Sequence, residues 1–153
     1  FKSSSWNDRL NIFHNDIKQF KSDNKYNLII SNPPFYQKSL LSPYDDINEA
    51  RHDISLRPVD LLICVKNLLA SGYFAVLLPY YLTDKFIKLA NQYKLFVTYL
   101  IKVNNTVEST YIRSMIIFST TPETIIKKEI AIKSGKDYSE EFKSLLKDYY
   151  PAL

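Results

Sequence analysis

A short apolar run that ends in an amide, two prolines and an aromatic ring constrains this chain more than any other part of its sequence. Residues 26–31 (YNLIIS) have the length and content of a strand buried on both faces, as in parallel sheets. Asn32, Pro33, Pro34 and Phe35 follow directly. They cannot continue the strand, because each proline fixes φ and lacks an N–H donor. The sequence therefore predicts a stiff, extended shelf, residues 32–35, at the carboxyl end of a strand.

Strand and helix patterns alternate along the chain. Apolar runs predict strands at 10–13, 73–78, 95–103, 114–119 and 125–132, and helical periodicity predicts helices at 57–71, 83–93 and 139–149. Gly72 is expected to close the first helix, and Thr83 and Ser139 are expected to begin the other two. The stretch 32–55 lacks clear periodicity and is expected to be a long functional loop.

This alternation predicts an α/β fold with a mostly parallel sheet and right-handed crossovers. Ligands of such sheets bind beyond the carboxyl ends of the strands. Asp16, which follows the predicted strand 10–13, and the shelf both fall at such ends. The sequence therefore predicts a binding site built from these two segments.

Composition narrows the class of protein but not its function. The 153 residues fit one domain, the net charge of +4 mildly favours an anionic partner, and no apolar run is long enough to span a membrane. The single cysteine, Cys64, lies in an apolar stretch and is expected to pack in the interior rather than bind metal. We expect a cytoplasmic protein with no metal site and no obligate protein partner.

The shelf has the chemistry to hold a planar amine. The Asn32 amide oxygen and the Pro33 carbonyl are acceptors, and Phe35 offers an aromatic face for stacking. Two acceptors on the N–H groups of an aryl amine would let its nitrogen pyramidalise and recover lone-pair density. An electrophilic methyl group could then be attacked, with orientation and carbonyl dipoles supplying much of the rate.

The stretch YNLIISNPPFY resembles motif IV of amino-methyltransferases that use S-adenosylmethionine. More closely, the chain resembles the bacterial family that N6-methylates adenine 37 of valine tRNA-1. The segments that carry this resemblance are SSSWNDRLNIFHNDIKQF, EARHDISL, GYFAVLLP and DYSEEFKSLLKDYY, so that it covers nearly the whole chain. The resemblance implies a Rossmann-like class I methyltransferase sheet, mostly parallel with an antiparallel strand near the carboxyl end, with S-adenosylmethionine as cofactor and tRNA as partner.

The resemblance also implies roles for the shelf residues. Asn32 would accept from and orient the target amine, with the Pro33 carbonyl as second acceptor. Pro34 would stiffen the shelf, and Phe35 would stack on the flipped adenine, with Tyr36 beside it as a further nucleic-acid contact.

Four residues outside the shelf match family positions, and Arg113 is a further basic candidate. Asp16, with Ile17 behind it, matches the contact to the cofactor's adenine, although Asp16 could instead cap the following turn. Arg51 and His52 match a position expected to contact tRNA phosphate or a flanking base, but they could also be a solvated arginine and a helix-start histidine. Arg113 could contact phosphate or be a charge at a strand edge.

The sequence departs from the family at its front. The strand, glycine-rich turn and acidic residue that hold the cofactor in the family are not found, and the chain has only two glycines. We expect the chain to be the carboxyl-terminal part of a single methyltransferase domain, with little cofactor binding and no turnover by itself. The strand at 10–13 would then lack a partner, and the strand at 26–31 would have an exposed apolar edge.

Three other functions share part of this pattern. Methyltransferases of guanine N2 in ribosomal RNA often carry Asn-Pro-Pro-Phe, and glutamine methyltransferases of release factors carry Asn-Pro-Pro-Tyr. A module that binds nucleic acid without catalysis could also use the shelf for stacking. The Arg51-His52 segment and the terminal helix favour the tRNA adenine family over the two other enzymes, and a binding module would be expected to have more aromatic residues on the shelf than Phe35 and Tyr36.

Overall fold

The computed structural model of the chain describes residues 3–35 and 56–150. Most of the predicted long loop, with Tyr36, Arg51 and His52, lies outside the described residues. In the part that the structure describes, no helix is long and apolar enough to cross a membrane.

Six strands form one mixed sheet. They are β1 (Tyr26–Ser31), β2 (Leu69–Pro79), β3 (Phe96–Thr106), β4 (Tyr111–Ser119), β5 (Ile126–Ser134) and β6 (Asp137–Tyr138). Their order across the sheet is β1-β2-β4-β3-β5-β6. The pairs β1–β2 and β3–β5 are parallel, whereas β4 runs antiparallel to both of its neighbours. The predicted α/β sheet, mostly parallel with an antiparallel strand near the carboxyl end, is confirmed.

Two helices cover one face of this sheet and close the core. They are α1 (Pro58–Leu68) and α2 (Thr83–Gln92), and a third helix, α3 (Glu140–Leu146), follows β6. The core between the two helices and the sheet consists largely of aromatic and branched side chains, among them Leu62, Val65, Phe74, Phe86, Ile116 and Phe118. The rings of Phe74 and Phe118 stack 5.9 Å apart, and Phe86 of α2 lies 6.0 Å from Phe118. α2 is thus fixed to β2 and β4 by an aromatic cluster.

The opposite face of the sheet is exposed along β1 and at Tyr73 of β2. Leu28 and Ile30 of β1 are 55% and 75% exposed, and Tyr73 of β2 is 45% exposed. A shallow groove runs along this face, lined by Leu28, Tyr73, Tyr99, Ile117 and Ile126 among others. The expectation that residues 26–31 are buried on both faces is therefore wrong, because helices cover only the face to which Ile29 points.

Residues 10–13 do not form the predicted strand. A strand exists only through its hydrogen-bonded ladder, and these residues pair with none of the described strands. Ile12 and Phe13 are both about two thirds exposed, at 67% and 66%, and the Phe13 ring lies 5.3 Å from the nearby Phe20 ring. Asp16 therefore does not follow a strand, and one of the two strand ends expected to build the site is missing.

Gly72 lies inside a strand instead of closing a helix. The first helix ends at Leu68 and β2 begins at once, so the predicted helix 57–71 is too long and the predicted strand 73–78 too short. The pairing of β1 with β2 is irregular between Tyr26 and Leu28, and here the two backbones come close. A Cβ atom on Gly72 would lie 2.0 Å from the carbonyl oxygen of Asn27. Glycine is therefore required by the close approach of the backbones rather than by a helix end.

The remaining helix starts are partly as predicted. Ser139 caps α3, since its Oγ accepts a hydrogen bond from the Phe142 N–H at 3.1 Å, but that helix ends at Leu146 and not at residue 149. Thr83 does not cap α2. It is the first residue of the helix, and its buried hydroxyl lies 2.6 Å from the Ser114 hydroxyl of β4.

The start of α1 is held by one carboxylate. Asp60 accepts hydrogen bonds from Nε and Nη2 of Arg57, each at 2.8 Å, and from the Arg57 backbone N–H at 3.3 Å. The side chain of Asp60 is only 15% exposed. The hydrogen bonds from Arg57 lower the pKa of the Asp60 carboxyl below its ordinary value, and burial opposes them. The charged form of Asp60 therefore stabilises the folded protein.

We predict that Gly72→Ala destabilises the full-length protein by about 2 kcal/mol or more, because the new methyl group forces β1 and β2 apart. The melting temperature should fall by roughly 5 °C. Ser71→Ala is the matched control, since it removes only the exposed hydroxyl of the residue that precedes Gly72. Equal melting temperatures for the wild type and Gly72→Ala would contradict the close approach of the two strands.

We also predict a pH-dependent effect of Asp60→Asn. Because the pKa of Asp60 is lowered on folding, its contribution is present above the ordinary carboxyl range and lost as pH falls through the folded-state pKa. The variant should lose about 1 kcal/mol at neutral pH, as for a lost helix cap, and should converge with the wild type in acid. Denaturant titrations across pH measure this, with Asp23→Asn as a control on an exposed loop. A difference that stays constant down to strongly acidic pH would argue against the contact.

Candidate active site

The shelf leaves the sheet at the carboxyl end of β1. Ser31 is the last residue of the strand and pairs with Val76 of β2. Asn32 beyond it is exposed, Pro33 is buried and Pro34 is exposed. The predicted shelf thus begins where expected, with its amide presented to solvent and its first proline packed inward.

A tight turn centred on Pro34 shapes the shelf. The Phe35 N–H donates to the Pro33 carbonyl at 2.9 Å, which is the bond of a three-residue γ-turn. Proline suits the centre of such a turn, because its ring already holds φ near the value that an inverse γ-turn needs. One of the two lone pairs on the Pro33 carbonyl oxygen is used by this bond, and the other remains able to accept.

Phe35 anchors the end of the shelf to the core. The residue is half-buried, and its ring lies 6.1 Å from the ring of Phe86 in α2, at an angle of 49°. Phe86 in turn contacts Phe74 of β2, with ring centroids 6.5 Å apart. The shelf is therefore fixed at both ends, by the β1–β2 ladder at Ser31 and by the aromatic cluster at Phe35.

Asp16 caps a turn and lies beside α1. Its Oδ1 accepts the Lys18 N–H at 2.9 Å, its Oδ2 lies 3.4 Å from Lys18 Nζ, and its side chain is still 41% exposed. The carbonyl of Ile17 accepts a hydrogen bond from Cys64 Sγ of α1 at 3.3 Å. Burial raises the pKa of the Cys64 thiol, and the charges of Asp60 and Asp16 raise it further. Asp16 thus caps the turn that follows it, its contact to the cofactor stays a prediction, and Cys64 packs at the contact between this turn and α1.

Arg113 lies at the same edge of the sheet as the shelf. It is an exposed residue of β4 that pairs with Pro79, the last residue of β2, and with Val103 of β3. Its guanidinium donates to the Ile112 carbonyl at 3.3 Å and makes no ion pair among the described residues. The side chain is available to an anion at the carboxyl end of the sheet.

A polar aromatic cluster at this edge was missed from the sequence. The ring of Tyr80, directly after β2, lies 4.9 Å from the ring of Tyr111 in β4. Lys102 Nζ lies 4.8 Å from the centre of the Tyr111 ring and 3.5 Å from Glu129 Oε1. A hydrogen bond with Glu129 raises the pKa of the Tyr111 hydroxyl, and the same bond lowers the pKa of Glu129. Four strands or strand ends thus contribute to one cluster.

A β-bulge brings this cluster together. In the β3–β4 pair, Arg113 opposes Val103 but Tyr111 opposes Asn104, so β4 contains an extra residue at this point. A bulge of this kind turns the following side chains to the other face of a sheet. Tyr111 therefore shares a face with Lys102 and Glu129, whereas Arg113 points to the opposite face. Only the sequence Pro79-Tyr80 after a strand, which resembles Pro34-Phe35 after β1, could have pointed to the cluster.

Several curated proteins similar to this chain carry the same name. The chain is 34% identical over 149 residues to the tRNA1(Val) (adenine(37)-N6)-methyltransferase of Bacteroides thetaiotaomicron, covering 96% of the chain and 63% of the relative. It is 30% identical over 155 residues to the protein of the same name in Flavobacterium psychrophilum, covering 98% and 66%. The Aliivibrio fischeri protein is likewise 30% identical, with 98% and 64% covered. The chain thus spans just under two thirds of the length of these relatives.

Solved structures share the fold at low sequence identity. A predicted O-methyltransferase of Agrobacterium tumefaciens superposes with a TM-score of 0.60 at 8% identity, covering 85% of this chain and 59% of that one. A protein of Listeria monocytogenes, provisionally assigned to the class I S-adenosylmethionine-dependent methyltransferases, gives a TM-score of 0.50 at 15% identity, covering 85% and 44%. No protein-family model matches the chain.

The resemblance found in the sequence is thereby confirmed over nearly the whole chain. The chain has the fold of the class I methyltransferases, and over 96% or more of its length its sequence is similar to proteins named tRNA1(Val) (adenine(37)-N6)-methyltransferase.

Proposed function

We propose that the protein carrying this chain is an S-adenosylmethionine-dependent methyltransferase that acts on the exocyclic amine of an adenine in tRNA. By similarity to the named relatives, the target is adenine 37 of tRNA1(Val). The observation that carries the proposal is the shelf, which presents an exposed amide and a carbonyl at the carboxyl end of β1. The reaction, its cofactor and its RNA substrate belong to the whole protein, of which this chain supplies the amine-binding part.

The shelf would hold the amine by its two N–H groups. Asn32 Oδ1 accepts one of them, and the free lone pair of the Pro33 carbonyl accepts the other. Because the γ-turn and the Phe35 ring fix the shelf, these acceptors are positioned before substrate arrives. Preorganised dipoles of this kind stabilise the positive charge that develops on the amine nitrogen.

Bound S-adenosylmethionine would supply the electrophilic methyl group. The chemistry of Asp16 fits the adenosine part of that molecule, since its carboxylate is partly exposed and keeps free lone pairs after accepting from Lys18. We assign Asp16, Ile17 and Asn32 to the cofactor side of the site. Because Asp16 is tied to α1 through the bond from Cys64 to Ile17, α1 would hold this contact in place.

RNA would approach the carboxyl edge of the sheet. An adenine cannot reach the shelf while it is stacked in a loop, so it must be flipped out of the stack. For a purine of the anticodon loop this costs little free energy, because the base is unpaired. Phe35 would stack on this base through the side of its ring that Phe86 leaves free. Tyr36, Arg51, His52 and Arg113 are proposed contacts to neighbouring bases and phosphates. Since tRNA is the substrate, we place the reaction in the cytoplasm.

The identity of the methylated group tests the proposal against its rivals. Purified full-length protein is incubated with S-adenosylmethionine and with total tRNA, ribosomal RNA or a release factor, and the product is identified by mass. The proposal predicts N6-methyladenine in tRNA. Methyl groups found on guanine or on a glutamine side chain would instead support the other two enzymes that use the same shelf.

We predict that Asn32→Ala in the full-length protein lowers kcat by about 10²- to 10³-fold, the effect of removing one preorganised hydrogen-bond partner from a transition state. Asn32→Asp should keep more activity, because a carboxylate oxygen still accepts from the amine. Single-turnover methylation of tRNA measures both variants.

Asn24→Ala is the matched control for these variants, since Asn24 is an exposed residue just before β1. Its activity should equal that of the wild type. Full methylation by folded Asn32→Ala would remove the Asn32 amide from the mechanism and would leave the shelf only a stacking role.

A further inference from the structure

Tyr80 lies beside the shelf at the same edge of the sheet. β1 and β2 are parallel neighbours in which Ser31 pairs with Val76, and β2 continues from there to Pro79. Tyr80 follows at once and begins a 3-10 turn, Tyr80–Leu82, that leads into α2. Neighbouring strands are roughly 5 Å apart, so the backbones of Tyr80 and the shelf leave the sheet about one strand spacing from each other.

The ring of Tyr80 packs against Tyr111, which in turn contacts Lys102. Its neighbour Tyr111 lies 4.9 Å away at an angle of 47°, and Lys102 Nζ lies 4.8 Å from the centre of the Tyr111 ring. Lys102 and Glu129 pair across adjacent strands, with 3.5 Å between Nζ and Oε1. Glu129 thus holds Lys102 over the Tyr111 ring, and the Tyr111 ring in turn packs against the ring of Tyr80.

The turn that carries Tyr80 is also fixed. Thr83 and Ser114 are 3% and 0% exposed, and their hydroxyls lie 2.6 Å apart, which ties the start of α2 to β4. Phe86, one helical turn further on, contacts the Phe35 ring of the shelf. Tyr80 and the shelf are thus attached to the same helix and hold a constant position relative to each other.

Despite this support, Tyr80 is only half-buried, and Tyr81 beside it is 48% exposed. A rigid, partly exposed aromatic ring at a binding edge costs little conformational entropy when a flat group stacks on it. The face of Tyr111 is used by Lys102, so that Tyr80 is the member of the cluster with a surface to offer. A partly exposed aromatic ring of fixed orientation suits stacking of a nucleobase.

We propose that Tyr80 is a base-stacking residue that receives a nucleobase flanking the methylated adenine, and that Tyr111, Lys102 and Glu129 are positioning residues for its ring. The inference rests on the proposed function. A base that is splayed onto the shelf breaks the stack of its loop, and its neighbours lose a stacking partner. Tyr80 replaces that partner one strand away from the shelf and so lowers the cost of extraction.

A double-mutant cycle between protein and RNA tests this role. The probe is a synthetic anticodon stem-loop of the substrate tRNA, used intact and with an abasic site directly 5′ or directly 3′ of the target adenine. Dissociation constants are measured for the full-length wild type, Tyr80→Leu, Tyr80→Phe and the control Tyr149→Leu, whose ring is 77% exposed near the carboxyl end. Tyr111→Leu serves as a second variant that removes the brace and keeps the Tyr80 ring.

We expect Tyr80→Leu to weaken binding of the intact RNA by about 10-fold or more, within the range for one stacked base. Tyr80→Phe and Tyr149→Leu should bind like the wild type, and Tyr111→Leu should fall between. The wild type should bind one of the two abasic RNAs about as weakly as Tyr80→Leu binds the intact RNA. For that abasic RNA, Tyr80→Leu should cause no further loss of affinity. A purely structural role for Tyr80 predicts additive losses with both abasic RNAs, and that result would overturn the inference.

Methyl transfer to tRNA by the wild type separates this inference from the proposed function. If the wild type methylates tRNA at adenine N6 but the losses are additive, the role of Tyr80 is wrong and the function stands. If the wild type methylates another substrate, the proposed function is wrong, and with it the RNA stacking role.

Discussion

The parallel pairing of β1 with β2 is the interaction on which the site depends. It brings the ends of two apolar strands to one edge, so that Asn32 and Tyr80 emerge beside each other. The pairing requires an unusual approach of the two backbones at Gly72, where even one methyl group would meet the Asn27 carbonyl. A backbone contact near the amino ends of two strands thus determines where chemistry can occur at their carboxyl ends.

The aromatic cluster under α2 fixes the side chains of the shelf relative to the sheet. Phe74 belongs to β2 and Phe118 to β4, and both contact Phe86 of the helix. Phe35 joins the same cluster from the shelf. The amide and carbonyl that we assign to the amine are therefore held by a rigid core rather than by a mobile loop, as preorganised electrostatic catalysis requires. Asn32 is exposed to solvent, whereas Phe35 of the same shelf packs against the apolar core.

Local signals in the sequence were enough for the main elements and for the shelf. The order of strands and helices, the break at the two prolines and the cap at Ser139 depend on residues close together in the chain. The sequence failed where the outcome depends on distant partners. Residues 10–13 have the composition of a strand but form no hydrogen bonds with a neighbouring strand in the described part of the chain. Gly72 resembles the glycine that ends a helix, but it is needed because the backbone of Asn27 lies close to it.

The cluster around Tyr80 shows the same limit at the site. Its members come from four strands or strand ends, and a bulge in β4 decides to which face Tyr111 turns. No pattern along the sequence encodes that extra residue. The recurrence of strand, proline and aromatic at 31–35 and at 78–80 was visible, however, and it marks both places where an aromatic ring meets the carboxyl edge.

The proposed shelf holds the exocyclic amine of an adenine by two acceptors. A crystal structure of the full-length protein with an anticodon stem-loop RNA measures it directly, through the distances from the target amine nitrogen to Asn32 Oδ1 and to the Pro33 carbonyl oxygen. We predict that both distances are about 3 Å, with adenine as the bound base. An amine that lies beyond hydrogen-bond distance of both acceptors, or a guanine on the shelf, would contradict the account.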